Sequence, residues 1–180
     1  MQIIPGIYQV GGSLNGVTWA GSYASYDDCN AYILETDQGL IMFDCGNGET
    51  FGQIQENMHA WGLHLSDLKA CLFTHPHLDH AGSAWLLAEK GVQLYAHENT
   101  ADAIASADDR CCGYLYHKTF LPCHVDMPLQ DGDVVDICGV QITAIHLPGH
   151  TMGCTAYSFQ WDEKHIIVSG DIIGTLLDGH

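Results

Sequence analysis

The stretch Ala70-Cys71-Leu72-Phe73-Thr74-His75-Pro76-His77-Leu78-Asp79-His80 decides how this sequence is read. It begins as an apolar run of strand length, then places three imidazoles and a carboxylate at H-x-H-x-D-H spacing. Side chains two apart on extended backbone project to the same side, so His75 and His77 can grip one ion together at the mouth of the strand. Asp79 and His80 follow and must turn toward a second position a short way off. Imidazole and carboxylate bind zinc, iron or manganese while leaving room for water, as a catalytic site requires and a closed structural site does not. The bland alternative is a crowd of polar residues on a solvent loop, and the spacing is too demanding for it.

Two later segments repeat that geometry. Val140 to Ile145 reads as a buried strand running into His146-Leu147-Pro148-Gly149-His150-Thr151, where Pro and Gly turn the chain and present His150 at a strand exit. His165 to Ser169 is a short apolar strand, and Gly170-Asp171 stops it with a carboxylate at the tip. Taken alone, each is an ordinary turn. Taken in this order behind the first motif, they form a constellation.

At that point the residues resemble a known family. H-x-H-x-D-H, then PGHT, then a strand ending in GD is similar to the ordered signature of the metallo-β-lactamase fold superfamily, and the wording around it looks most like the glyoxalase II and lactonase-like branches. Ile3 to Val10, Asn30 to Leu34 and Leu40 to Gly46 resemble the family's opening strands, the third carrying a supporting Asp44. The resemblance runs over essentially the whole chain. It implies an α+β fold, a four-layer αβ/βα sandwich forming a single domain over residues 1–180, truncated at the C-terminus. It also implies that His75, His77 and His150 hold a first metal, that Asp79 and His80 hold a second, and that Asp171 bridges them. The cofactors it implies are two divalent ions, zinc first, with iron or manganese as alternatives.

The sequence departs from the family at its end. The family supplies a further His to the second metal from a strand several dozen residues after the bridging Asp, whereas only nine residues follow Asp171 here. His180 is the one imidazole near that end, and the apolar run before it argues against its folding back. The expectation is an incomplete second site in this sequence, with the remaining ligand on a longer natural chain.

Composition narrows the picture. A chain of 180 residues with 47% hydrophobic content can bury one core and has no room for a second domain. It holds no run of eighteen apolar residues, and Met1 to Pro5 lacks the basic and long apolar regions of a signal peptide, so a cytoplasmic protein is expected. Eight cysteines are scattered without C-x-x-C spacing, which predicts free thiols in a reducing compartment. With 5 Lys and Arg against 22 Asp and Glu, the formal charge of -17 repels phosphate backbones and anionic membranes. The expected partner is a small-molecule substrate, with no nucleic acid and no membrane, and a homo-oligomer is left open.

Periodicity predicts a helix over 49–61, a second over 81–90, a strand over 92–96 and a third helix over 97–107. Residues 108–124 have no clean period and read as an insert over the site. Tyr114, Tyr116, His117 and Lys118 lie there, either touching substrate or simply solvated. His59, His64, His97, His124 and His165 have no ligand spacing and are read as ordinary side chains.

The chemistry that follows is hydrolysis of an ester-like bond, in a thioester, lactone or related small molecule, by a metal-bound hydroxide. Asp79 would be catalytic as well as a ligand, orienting or shuttling the proton. No G-x-S-x-G elbow or Cys–His pair offers a protein nucleophile. The rival readings are a mononuclear iron oxygenase of the persulfide dioxygenase type, and an inactive truncated domain.

Overall fold

The computed structural model describes residues 1–12 and 28–172. Strands β1 (Gln2–Ile4), β2 (Ile7–Gln9), β3 (Tyr32–Thr36), β4 (Gly39–Phe43), β5 (Leu68–Phe73), β6 (Gln93–His97) and β7 (Met127–Leu129) form one sheet in that spatial order. Its first half is an antiparallel meander, and from β4 to β7 neighbouring strands run parallel. Parallel pairs need crossovers, which the helices α1 (Phe51–Ala60), α2 (Leu78–Ala81), α3 (Ala84–Glu89) and α4 (Glu98–Ser106) provide. The second sheet is an antiparallel meander of β8 (Val134–Ile137), β9 (Val140–His146), β10 (Thr155–Trp161) and β11 (Lys164–Val168).

The central strands are apolar throughout because both of their faces are buried. Leu34, Ile41, Phe43, Leu72 and Tyr95 face the second sheet, where they meet Ile142, Tyr157 and Phe159. Alternate residues Ile33, Met42, Cys71, Phe73 and Leu94 pack under Ile54, Met58, Leu87 and Ile104 of the helices. Of the four-layer αβ/βα sandwich that the resemblance implies, the described residues build one helical layer and the two sheets. The sheets part on the side of β1, β2 and β11, leaving a groove of about 360 Å³ that runs past Ile7, Tyr32 and Phe159 to Asp44 and Asp171. Among the described residues no helix is long and apolar enough to cross a membrane.

Phe51, Ile54 and Met58 give α1 its buried stripe, and the chain leaves it through Gly62, whose left-handed φ of 76° turns the next peptide so that the Leu63 N–H reaches the Met58 carbonyl at 3.0 Å. The helix predicted over 81–90 is different. It begins earlier, at Leu78, and breaks at Gly82-Ser83 into α2 and α3, because the Ser83 N–H is diverted to the Gly46 carbonyl at 3.1 Å. Asp79 and His80 therefore stand on a helical turn rather than in a loop.

All eight cysteines are free, and Cys29, Cys45, Cys71, Cys111 and Cys154 are buried. The 108–124 insert holds two short 3-10 turns, Asp109–Cys111 and Gly113–Tyr116. His180 lies outside the described residues.

Candidate metal centre

Several strand exits converge on one end of the sandwich. β5 delivers Thr74, His75 and His77, α2 carries Asp79 and His80, the loop after β9 carries His150, and the turn after β11 carries Asp171. Two bonds hold the sheets in register here: the Thr155 N–H donates to the Thr74 carbonyl at 2.9 Å, and the Tyr157 hydroxyl donates to the Phe73 carbonyl at 2.8 Å. Gly170 has a φ of 54°, and any Cβ on it would overlap the Thr74 side chain, so only glycine lets Asp171 approach this closely.

Asp44, directly after β4, orders the centre from beneath. Its side chain is buried, and it accepts from the Thr74 N–H at 2.8 Å, the Thr74 hydroxyl at 2.7 Å and His80 Nδ1 at 2.8 Å. The Thr74 hydroxyl has one proton and gives it to Asp44, so toward His75 Nδ1, 3.0 Å away, it can only accept. That fixes the His75 proton on Nδ1 and leaves Nε2 as a bare lone pair aimed into the centre. His75 Nε2 and Asp79 Oδ1 are the buried side-chain polar atoms without a hydrogen-bond partner among the described residues. Orphaned atoms in such positions are what a cation would satisfy.

One ligand atom each from His75, His77 and His150 lies within 4.8 Å of the others, and so does one each from His75, His80 and Asp171. His150 Nε2 stands 3.0 Å from His77 Nδ1, close to the spacing of about 3.3 Å that two nitrogens on one tetrahedral zinc would have. His80 Nε2 lies 3.3 Å from Asp171 Oδ1 and 3.5 Å from Asp79 Oδ2, while Asp171 Oδ2 is 3.7 Å from His150 Nε2. Asp171 thus sits between the two groups. The donor set, its spacing and its orphaned atoms fit divalent ions.

The electrostatics agree with the geometry. Burial, and then the neighbouring His80 and His77, lower the His75 pKa to about 2. Burial, followed by His150, lowers that of His77 to about 4. Both rings are therefore neutral at neutral pH, with lone pairs free. Burial opposes charging His80, but the surrounding Asp44, Asp171 and Asp79 carboxylates outweigh it and hold its pKa well above the ordinary value. Its hydrogen bond to His80 lowers the Asp171 pKa, whereas burial raises that of Asp79.

The structure brings together all six residues singled out in the sequence: His75, His77, Asp79, His80, His150 and Asp171. It also brings in Thr74, Asp28 and Cys112, which sequence reasoning passed over, and places Tyr116, read in the sequence as either touching substrate or solvated, beside Asp79. Thr74 links Asp44 to His75, and Asp28 accepts from the Asn47 N–H at 2.9 Å behind the centre. Tyr116 and Cys112 of the insert lie near enough to Asp79 for its charge to raise the pKa of each, after burial. No ligand spacing marks Thr74, Asp28 or Cys112, because each stands alone in its own segment.

A family model described as the metallo-beta-lactamase superfamily matches residues 25–180. The chain belongs to that superfamily. It is 31% identical over 163 residues to a hydroxyacylglutathione hydrolase of Bdellovibrio bacteriovorus, covering 86% of this chain and 54% of the relative. It is 25% identical over 194 residues to a human acyl-coenzyme A thioesterase, covering 91% of this chain and 66% of the relative. Among solved structures, a metallo-beta-lactamase of Cronobacter sakazakii superposes with a TM-score of 0.76 at 29% identity, over 94% of this chain and 61% of that one. BJP-1, a subclass B3 metallo-beta-lactamase of Bradyrhizobium japonicum, gives 0.73 at 26% identity, over 96% of this chain and 64% of that one. The chain thus spans between about half and two thirds of the length of these proteins.

Proposed function

We propose that this chain carries the metal-holding centre of a hydrolase acting on ester-like bonds of small molecules, thioesters first and lactones second. His75, His77 and His150 would hold one divalent ion, Asp79 and His80 a second, with Asp171 shared. The observation that carries this is the relay Asp44–Thr74–His75, which leaves a buried imidazole lone pair with nothing to bond. Bound divalent ions would supply Lewis-acid chemistry, bringing water toward ionisation at neutral pH and polarising a carbonyl. Zinc suits an imidazole and carboxylate set, and iron or manganese are the alternatives.

The chain's own residues do the rest. Asp44 fixes the ring planes of His75 and His80 through Nδ1, so each presents Nε2. Asp79 is half-buried, its pKa is raised by that burial, and its buried Oδ1 is free to orient or take up a proton from an attacking water. The buried Cys29, Cys45 and Cys71 thiols do not compete as nucleophiles near neutrality, since burial drives their pKa values upward. The thioesterase and hydroxyacylglutathione hydrolase relatives support thioesters and favour hydrolysis over oxygenase chemistry. A formal charge of -17 argues for a small substrate rather than nucleic acid.

The test is direct. Protein loaded with zinc or manganese is offered an acyl-coenzyme A, a hydroxyacyl-glutathione thioester and a lactone, and release of thiol or acid is followed with and without a chelator. Chelator-sensitive thioester cleavage supports the reading. Protein that holds ions yet cleaves none of the three overturns it.

A further inference from the structure

His150 stands on the loop 147–154, whose large apolar members are outside the core: Leu147 is 42% exposed and Met152 72%. Buried packing holds the end of the loop, at Gly153 and Cys154, and not the exposed part that carries His150. Bonds within the loop give it shape, with the Leu147 N–H on the Cys154 carbonyl at 2.8 Å and the Gly149 N–H on the Thr151 carbonyl at 3.1 Å. Besides the Thr155 hydroxyl of β10 on the Gly153 carbonyl at 3.1 Å, what fastens the loop to the rest of the molecule comes from α4 and the end of β9. The Met152 carbonyl accepts from His146 Nε2 at 2.9 Å and from Asn99 Nδ2 at 3.2 Å, and the Gly153 carbonyl accepts from the Thr100 hydroxyl at 2.9 Å. Gly153 lies so close to Thr100 that a Cβ there would overlap it.

His146 is itself held. Its ring lies flat on that of His97, with centroids 3.8 Å apart and planes at 13°, and its backbone N–H donates to Asp131 Oδ1 at 2.9 Å. His97 caps α4, its Nδ1 accepting from the Asn99 N–H at 3.2 Å. The same residue thus fixes the helix end that supplies Asn99 and Thr100 and forms the platform beneath His146. A nitrogen facing a carbonyl is the one that carries the proton, so His146 acts toward the loop as a donor.

We propose that His146, stacked on His97, and Asn99 form a clamp on the Met152 carbonyl that sets the position of His150, making them positioning residues of the three-imidazole group. The proposal rests on the metal-holding reading above for its consequence, not for its geometry. His150 Nε2 must stay about 3 Å from His77 Nδ1 for both to reach one ion, and a loop free to swing would surrender that third nitrogen.

The experiment compares wild type with His146→Ala, His146→Gln and Asn99→Ala by zinc titration against a competing chelating indicator. Amide hydrogen exchange of residues 147–154 is measured alongside in metal-free protein. His146→Ala should weaken the ion held by the three imidazoles by roughly 10–100-fold, the usual effect of losing an outer partner. It should also speed exchange at Leu147 and Gly149. His146→Gln, whose amide can donate to the same carbonyl, should recover most of both. Affinity and exchange unchanged in His146→Ala and Asn99→Ala would overturn the proposal, as would a loss in His146→Gln as deep as in His146→Ala. Should His146→Ala fail to fold, Asn99→Ala decides, because it removes only the outer donor. If wild type binds no zinc, the metal reading fails, and exchange in the metal-free protein still decides the clamp.

Discussion

Asp44→Asn is the sharpest single test of how the centre is ordered. The Asp44 carboxylate accepts three hydrogen bonds, two at Oδ2 from the Thr74 hydroxyl and His80 Nδ1, and one at Oδ1 from the Thr74 N–H. An amide has one oxygen to offer. With that oxygen at the Oδ2 position its NH2 meets the Thr74 N–H, and with it at Oδ1 the NH2 meets the His80 N–H. Either way one buried donor is stranded, which costs about 1–3 kcal/mol, and the remaining bonds lose their charge assistance. We expect a loss of about 3 kcal/mol. Asp44→Ala should lose about 5 kcal/mol, because it leaves His80 buried without its carboxylate and puts alanine at a φ of 54° where asparagine is tolerated. Urea denaturation followed by tryptophan fluorescence, with a chelator present, measures both without interference from bound ions. The same variants should hold zinc roughly 10–100-fold more weakly, since Asp44 orients two of the ligand rings. An Asp44→Asn protein within about 0.5 kcal/mol of wild type, with zinc affinity intact, would refute the reasoning.

His77→Ala or His150→Ala should remove most bound metal while the chain stays folded; elemental analysis showing unchanged occupancy would overturn the ligand assignment. Asp171→Asn should weaken the ion at Asp79 and His80 more than the ion at the three imidazoles, and two ions retained at full affinity would make Asp171 an ordinary turn residue. Asp28 is half-buried, and that burial, opposed by hydrogen bonds from Thr50 and Asn47, raises its pKa from 3.8 to about 6. Its folded value lies above its unfolded one, so its contribution to stability is full below about pH 4 and falls away as pH rises to about 6, by roughly 3 kcal/mol at about 1.4 kcal/mol per unit. Asp28→Asn should therefore be more stable than wild type at pH 7.5 and equal to it near pH 4 in paired denaturation curves; no difference between the two pH values would count against the burial argument.

The fold was legible where one physical rule decides a segment. Leu40 to Phe43 and Ala70 to Phe73 read as strands because a strand buried on both faces needs an unbroken apolar run, and both are central in the larger sheet. Phe51, Ile54 and Met58 announced α1 by their three- and four-residue steps. The helix after the metal motif starts at Leu78 and not at Ala81, because its start is not set by period. Leu78-Asp79-His80-Ala81 winds directly after Pro76-His77, and the break at Gly82-Ser83 depends on a bond to Gly46, a residue on another strand exit. Composition carries no trace of a contact between segments 37 residues apart.

The site divides along the same line. A ligand set is legible because ions impose geometry on spacing: imidazoles two apart on extended backbone, then a turn, then further donors at strand exits. The residues that hold those ligands in place obey no spacing. Thr74 matters through one proton passed toward Asp44, thirty residues earlier, and in the sequence it is only the last residue of a strand. In the sequence His97 looks like an ordinary histidine and His146 like part of a turn, because nothing local distinguishes them. Their stacking arises because β6 and β9, in different sheets, end side by side. An ordering group acts through the tertiary packing that the first core of apolar strands creates, so it becomes visible only once that core is built. The ligands of this centre could be found from their order along the chain, and the parts that tune them only from their distances.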